Sequence, residues 1–164
     1  MPESLNVFAN DWDEVHDEPG FATKRLRLGR RLGSELLGAS VYELPPGQRS
    51  FPLHFHHANE ELLLGVAGTV TVRTAAGPCE LGAGDALVFP RGPRGVHQVI
   101  NRSPTTARVL VVSTMRAPDV AEYPDSGKIG VFAQPPGSGR PDELKRFLHG
   151  DATADYFEGE PTGR

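Results

Sequence analysis

The chain is poor in the residues that stabilise secreted proteins and those that cross membranes. Cys79 is its single cysteine, so no internal disulfide can form, and a reducing compartment such as the cytoplasm is expected. The first residues, Met1–Asn6, lack a basic region followed by an apolar run, which predicts no signal peptide. No stretch reaches the roughly 18 apolar residues that a membrane helix requires, so we expect no membrane partner.

An excess of positive charge is also missing. The formal net charge is −4, and no lysine and arginine cluster has the density of a nucleic-acid footprint. The densest basic stretch, residues 24–31, alternates with leucines, as a half-exposed strand would. We therefore expect no nucleic-acid partner.

Glycine and proline, in contrast, are abundant. Their 19 and 15 copies recur at short intervals along the chain and do not form one block. This spacing predicts tight turns between short strands, and hence an all-β fold of the sandwich or barrel kind. The alternation between these turns predicts strands at 22–29, 34–44, 51–57, 61–67, 69–74, 78–82, 86–89, 96–101 and 106–114.

Three segments follow from this pattern. Residues 1–21 are irregular and acidic, and they are expected to form an arm whose apolar side chains, including Trp12, pack on a neighbouring surface. Residues 22–116 would form the barrel, and residues 117–164 an extension that packs on it and ends in a loose polar tail. Within that extension, 117–140 is expected to be loop-like. Pro141–His149 is expected to form a short helix, because proline suits a first turn and its apolar residues share a face.

A pair of histidines is the first indication of a metal site. His54 and His56 point to the same face of a strand, whereas His57 points away. After a turn, Glu60 or Glu61 opens the next strand, where a carboxylate can reach the same point. Two imidazoles and a carboxylate suit iron, manganese, zinc, nickel or cobalt and leave open positions for a ligand.

A second segment adds a third histidine. Residues 84–90 have the pattern of a buried strand, and a loop rich in glycine and proline then leads to His97. Arg91 and Arg94 lie in this loop, and Arg49 precedes the first histidine pair. Their guanidinium groups either clamp a carboxylate or phosphate near the barrel mouth or are simply solvated in turns.

The two segments together resemble the paired signature motifs of the cupin superfamily. Only Glu61 stands six intervening residues before Gly68, as the first motif requires, which favours it over Glu60. The first motif has one extra residue before His54, and the second has two extra residues before His97. The matching positions are Gly47, His54, His56, Glu61 and Gly68 over 47–68, and Gly84, Pro90, Gly92, His97 and Asn101 over 84–101.

This resemblance implies a small single-domain, bacterial-type cupin with an antiparallel jelly-roll β-barrel over roughly residues 35–115. It also implies one divalent metal ion (Fe, Mn, Ni, Zn or Co). Small barrels of this kind commonly pair through edge strands, so a homodimer is expected. The metal ligands implied by the resemblance are His54, His56, Glu61 and His97.

The family covers oxygenases, isomerases, decarboxylases, hydrolases, sugar-binding sensors and storage proteins, so the fold does not fix the function. We expect a metal-dependent enzyme acting on a small organic, anionic molecule. A non-catalytic barrel that binds or senses a small molecule is the alternative. Beside the metal, Tyr42, Glu43 and Gln98 are candidates for a general acid or base, and Tyr42 and Gln98 also for substrate contacts.

Overall fold

The computed structural model describes residues 4–135 and 144–161. Almost all of its regular structure is β-strand, as predicted. The elements are β1 (Glu14–His16), β2 (Thr23–Leu26), α1 (Leu28–Arg31), β3 (Gly38–Leu44), β4 (Phe55–His56), β5 (Glu61–Ala67), β6 (Thr69–Thr74), β7 (Gly77–Gly82), β8 (Ala86–Phe89), a 3-10 turn (Pro93–Gly95), β9 (His97–Ile100), β10 (Ala107–Ser113), β11 (Asp119–Tyr123), β12 (Lys128–Phe132) and β13 (Lys145–His149).

The strands form three antiparallel sheets. A six-stranded sheet has the order β1-β2-β3-β10-β5-β8, a three-stranded sheet the order β7-β6-β9, and a four-stranded sheet the order β13-β12-β11-β4. The first two sheets pack face to face, and the chain is the antiparallel jelly-roll β-barrel that the sequence predicted. No helix in the described part of the chain is long and apolar enough to cross a membrane.

The main core lies between the six-stranded and three-stranded sheets. Strand alternation selects its members: Leu63 on β5 is fully buried, whereas its neighbour Leu62 is 37% exposed on the outer face. Val109 of β10 and Val72 of β6 meet Leu63 in this cluster. Burying one such aliphatic side chain stabilises the fold by about 1.5–3 kcal/mol, so this face sets the register of the sheet.

The N-terminal arm covers part of the outer face of its own barrel. Leu5, Val7 and Trp12 pack over a second apolar cluster that contains Leu26 and Val41. The arm also contains a strand that was not predicted, because β1 pairs with β2 over three residues. Strand β1 of the arm therefore forms the edge of the six-stranded sheet, beside β2.

Two predicted local structures are wrong. The strand predicted at 22–29 ends at Leu26, and Leu28–Arg31 is a short helix. Gly29 in this helix lies so close to residues 37–39 that a Cβ there would be 2.9 Å from backbone atoms. Residues 117–140 were expected to be loop-like, but β11 and β12 form a hairpin whose β11 also pairs with β4.

The predicted helix at Pro141–His149 is also wrong over its described part. Lys145–His149 is strand β13, which pairs along all of β12, and residues 141–143 lie outside the described residues. The apolar spacing of Leu144, Phe147 and Leu148 fits a helix face. The open edge of β12 instead offers backbone partners to each residue, and Phe147 packs against Phe132 with ring centroids 5.7 Å apart.

Candidate metal centre

The barrel brings the two histidine-bearing segments side by side. His54 and His97 form an antiparallel bridge in which each backbone N–H donates to the other's carbonyl, at 3.1 and 2.9 Å. The loop before His97 contains the 3-10 turn, and Gly95 there lies so close to Pro90 that a Cβ would come within 1.7 Å of its carbonyl oxygen. This tight turn accommodates the two extra residues of the second motif.

Four side chains converge at this bridge. The ligand atoms of His54, His56 and Glu61 all lie within 4.8 Å of one another, so these three residues could hold a metal ion. His97 adjoins them, with its Nε2 atom 3.2 Å from Oε2 of Glu61. The Nε2 atom of His56 lies 3.9 Å from the same carboxylate oxygen.

Hydrogen bonds orient all three imidazoles in the same way. Nδ1 of His54 donates to the carbonyl of Pro52 at 2.9 Å, and Nδ1 of His97 donates to the carbonyl of Gly95 at 2.9 Å. A carbonyl oxygen only accepts, so the proton of each neutral ring sits on Nδ1 and the Nε2 lone pair is left bare. Nδ1 of His56 is likewise engaged, by the carboxylate of Asp119.

Electrostatics favours neutral His54 and ionised Glu61. Burial, with a contribution from nearby His97, lowers the pKa of His54 to about 4, so its ring is neutral at pH 7. Burial alone would raise the pKa of Glu61, but Nε2 of His97, 3.2 Å from its Oε2, and the positive charges of the neighbouring histidines when they are protonated outweigh burial and lower that pKa. Neutral imidazole and ionised carboxylate are the forms that ligate, so His54 and Glu61 are in the form that binds a divalent ion. Burial alone would lower the pKa of His56, but its hydrogen bond with Asp119 and the charges of Glu61 and Asp119 outweigh burial and raise that pKa, so a bound ion would displace a proton from this ring.

Asp119 is a site residue that the sequence analysis missed. It opens β11, is 1% exposed, and its Oδ2 lies 2.6 Å from Nδ1 of His56. Its other oxygen accepts the backbone N–H of Ala58 at 2.9 Å. No local pattern could have found it, because the segment after the barrel was expected to be a loop and Asp119 is 63 residues from His56.

The neighbours of the predicted ligands take other roles. His57 points away from the site, and its Nε2 pairs with Oε1 of exposed Glu122 at 2.7 Å. Glu60 is exposed, while Glu61 faces the histidines. Because successive side chains along an extended chain point to opposite faces, His57 lies on the other face from His56, and Glu60 on the other face from Glu61.

A cavity of about 470 Å³ opens beside the histidines. Tyr42, a predicted substrate contact, lines this cavity together with His54, His56 and Glu61. Gln98 is buried and its side chain is used elsewhere, since it accepts from Arg73 at 2.8 Å and donates to the carbonyl of Phe51 at 2.9 Å.

The predicted arginines are not part of the lining. Arg91 and Arg94 are exposed, and Arg49 lies over the ring of Phe21, 5.8 Å from its centroid. Glu43 lies on the outer face of the sheet, where it pairs with Lys24 and Arg108. The cations that line the cavity were not predicted: they are Arg25, Lys128 and Lys145.

Part of the chain matches a known protein family. Residues 40–113 match the family model of the cupin domain. No curated protein matches the chain.

Solved structures with the same fold cover most of the chain. A sugar phosphate isomerase of a cupin superfamily from Silicibacter pomeroyi is 27% identical, with a TM-score of 0.70, over 80% of this chain and 78% of that one. The polyketide cyclase RemF from Streptomyces resistomycificus is 26% identical, with a TM-score of 0.59, over 73% of this chain and 84% of that one. A candidate sugar phosphate isomerase from Acidithiobacillus ferrooxidans, 23% identical with a TM-score of 0.72 over 83% and 81% of the two chains, shares the fold.

Proposed function

We propose that this chain, whose residues 40–113 match the family model of the cupin domain, is a metal-dependent enzyme that acts on a small organic molecule. Similar structures that are described as a sugar phosphate isomerase and a polyketide cyclase support an enzyme over a sensor. The ligands to one divalent ion would be His54, His56, Glu61 and His97.

The shared orientation of the three imidazoles carries this proposal. His54 and His97 each donate Nδ1–H to a backbone carbonyl, and His56 donates it to Asp119. Two Nε2 atoms then lie within 3.9 Å of a single Glu61 oxygen. Hydrogen bonds from Nδ1 to fixed acceptors are the usual way in which proteins aim a ligating histidine.

A bound divalent ion would supply a Lewis acid with open coordination positions on the cavity side. The residues of the chain would position the substrate. Tyr123 lines the cavity, and its ring stacks on His54 with centroids 5.9 Å apart. Burial and the charge of Asp119 raise the pKa of Tyr123 to about 12, so its hydroxyl stays protonated at neutral pH and would donate a hydrogen bond to the substrate.

Metal content is the first test of this function. Protein purified without a polyhistidine tag should contain or take up about one divalent ion per chain, measured by elemental analysis after exposure to Fe(II), Mn(II), Ni(II), Zn(II) or Co(II). A chain that takes up none of these ions would contradict the proposal. Consumption of a bound ligand, followed by mass spectrometry on the metal-loaded protein, separates the enzyme from the binding or sensing alternative.

We also propose that the protein works as a homodimer in the cytoplasm. Leu62 and Val88 are directly opposite on β5 and β8 and are 37% and 56% exposed, on a part of the outer face that the arm leaves open. A second copy of the chain would cover this apolar pair. The free thiol of exposed Cys79 fits a reducing compartment.

A further inference from the structure

Aromatic rings form a continuous wall along the side of the cavity that β11, β12 and β13 build. From His54 the wall runs to Tyr123, then to Phe147 at a centroid distance of 5.9 Å, and then to Phe132 at 5.7 Å. Such a surface packs best against a flat apolar body, because ring contacts add to the free energy of apolar burial.

A second group of aromatic rings also lines the cavity. Phe51 lies 6.1 Å from His54 and 5.2 Å from Tyr42, centroid to centroid, and all three line the cavity. The predicted ligand His54 therefore contacts both groups of rings. A cavity of about 470 Å³ has room for a molecule of one or two fused rings.

Two of the polar side chains that line the cavity already have hydrogen-bond partners within the protein. Asn59 lines the cavity, but its amide donates to the carbonyl of Arg116 at 3.0 Å, and its oxygen accepts from the Arg116 N–H at 2.6 Å and from Thr114 Oγ1 at 3.1 Å. Ser40 accepts the Nε–H of Arg25 at 3.1 Å. A site that must recognise several hydroxyl groups needs free donors and acceptors, and these two are already used.

The charges of the lining are strongly one-sided. Glu61 is the one carboxylate among the lining residues, and the metal site would use it. Arg25 shares its charge with Glu14 at 3.4 Å. Among residues 4–135 and 144–161, no carboxylate forms an ion pair with Lys128 or Lys145, so both lysines leave an uncompensated positive field at the cavity.

Each of these lysines is held over the aromatic wall. Nζ of Lys128 lies 5.8 Å from the ring centroid of Tyr123, which in turn stacks on His54. Nζ of Lys145 lies 5.9 Å from the ring centroid of Phe147. Cation–π contacts keep both ammonium groups beside the apolar surface, with Lys128 one ring away from a predicted metal ligand.

We propose that the substrate of this site is a flat, mainly apolar anion of the aromatic carboxylate class, and not a sugar phosphate. This inference rests on the proposed metal-dependent function and names its substrate class. The ring system lies along Tyr123 and Phe147, and its carboxylate lies between Lys128 and the metal position. Lys145 stands at the other end of the β12–β13 hairpin and adds a weaker, longer-range attraction.

Matched probes test the charge and the body of the ligand separately. Binding of 2-naphthoate, its neutral analogue 2-naphthamide, acetate and glucose 6-phosphate is measured by calorimetry on Zn(II)-loaded and metal-free protein. We expect 2-naphthoate to bind at least about tenfold tighter than each of the other three to the loaded protein, because only it combines a ring system with a charge. Equal or tighter binding of 2-naphthamide, acetate or glucose 6-phosphate would overturn the proposal.

Three variants locate the contacts. Lys128→Gln should weaken 2-naphthoate binding roughly threefold to tenfold and leave 2-naphthamide unchanged. Phe147→Ala should weaken both naphthyl probes to the same extent. Arg91→Gln removes the same charge from an exposed position outside the cavity lining and should change neither. Equal effects of Lys128→Gln and Arg91→Gln would overturn the assigned contact.

The same titrations distinguish failure of the proposed ligand class from failure of the proposed metal site. Zn(II) uptake by the wild-type protein tests the metal proposal alone. If Zn(II) does not bind, the preference for 2-naphthoate over 2-naphthamide on the metal-free protein still decides the ligand class, since Lys128 and the aromatic wall need no metal.

Discussion

Asp119 Oδ2 lies 2.6 Å from Nδ1 of His56, so the first strand after the predicted barrel orients a predicted metal ligand. The aspartate is held in place by the backbone N–H of Ala58 and is buried. Asp119 is not among the residues that line the cavity, so it acts through His56 by positioning that ring.

Asp119→Asn should weaken divalent metal binding by about tenfold to a hundredfold, because an amide no longer fixes the His56 ring or increases its basicity. Zn(II) titration by calorimetry measures the change. Asp125→Asn is the matched control, since Asp125 pairs with Arg73 on the surface. Unchanged affinity in Asp119→Asn would show that the contact does not support the metal site.

His56→Ala should lower metal affinity by more than about a hundredfold, because it removes a ligand and not only the group that orients one. His57→Ala should have little effect, since the His57 side chain is 46% exposed and pairs with Glu122. The two variants can be compared in one competition assay with a metal-sensing dye. Similar losses of metal affinity in the two variants would contradict the assignment of His56, and not His57, as a ligand.

Glu61→Gln should reduce metal affinity while Glu60→Gln leaves it unchanged. The Glu61 carboxylate faces Nε2 of both His56 and His97, whereas Glu60 is exposed. A neutral amide is a poor ligand for a hard divalent ion. Metal stoichiometry and affinity of the two purified variants give the answer, and the reverse order would move the ligand to Glu60.

Acid should destabilise the fold through Glu43. Burial alone would raise its pKa, but hydrogen bonds from Lys24 and Arg108 and their charges outweigh it and lower that pKa below 4.5. The stabilisation is therefore present above the unfolded pKa and is lost as pH falls through the folded one. Urea unfolding should show that Glu43→Gln costs about 1.5–3 kcal/mol at neutral pH and much less at an acid pH below the folded pKa of Glu43.

The exposed residue Glu35 gives the control for this experiment. Glu35→Gln should change the free energy of unfolding little at either pH, because surface substitutions are usually within about 0.5 kcal/mol of neutral. An equal loss in Glu43→Gln at both pH values would contradict the assignment to an ionised Glu43.

Sedimentation should give a mass of about twice 17.7 kDa at micromolar concentration. Val88→Asp should convert the protein to a monomer, because it places a charge in the apolar pair with Leu62. Leu36→Asp, at a position 77% exposed near α1, should leave the dimer intact. A monomeric wild-type protein, or dissociation by both variants, would refute this surface as the interface.

The sequence by itself determined several of the barrel strands and which neighbouring side chains lie on opposite faces of them. The strand predicted at 51–57 is shorter, since only Phe55–His56 forms β4. Strands predicted at 61–67, 69–74 and 86–89 coincide with β5, β6 and β8. Alternation is a local property of an extended chain, so it also separates His56 from His57 without reference to the rest of the fold.

Only the tertiary structure decided what surrounds those ligands. Asp119, Lys128 and Phe147 reach the site because β11 pairs with β4, β12 with β11, and β13 with β12. The register of such pairs depends on backbone hydrogen bonds between distant segments, which leave no periodic mark in either segment alone. For the same reason Lys145–His149 has the spacing of a helix face and yet forms a strand, since the free edge of β12 outweighs its local preference.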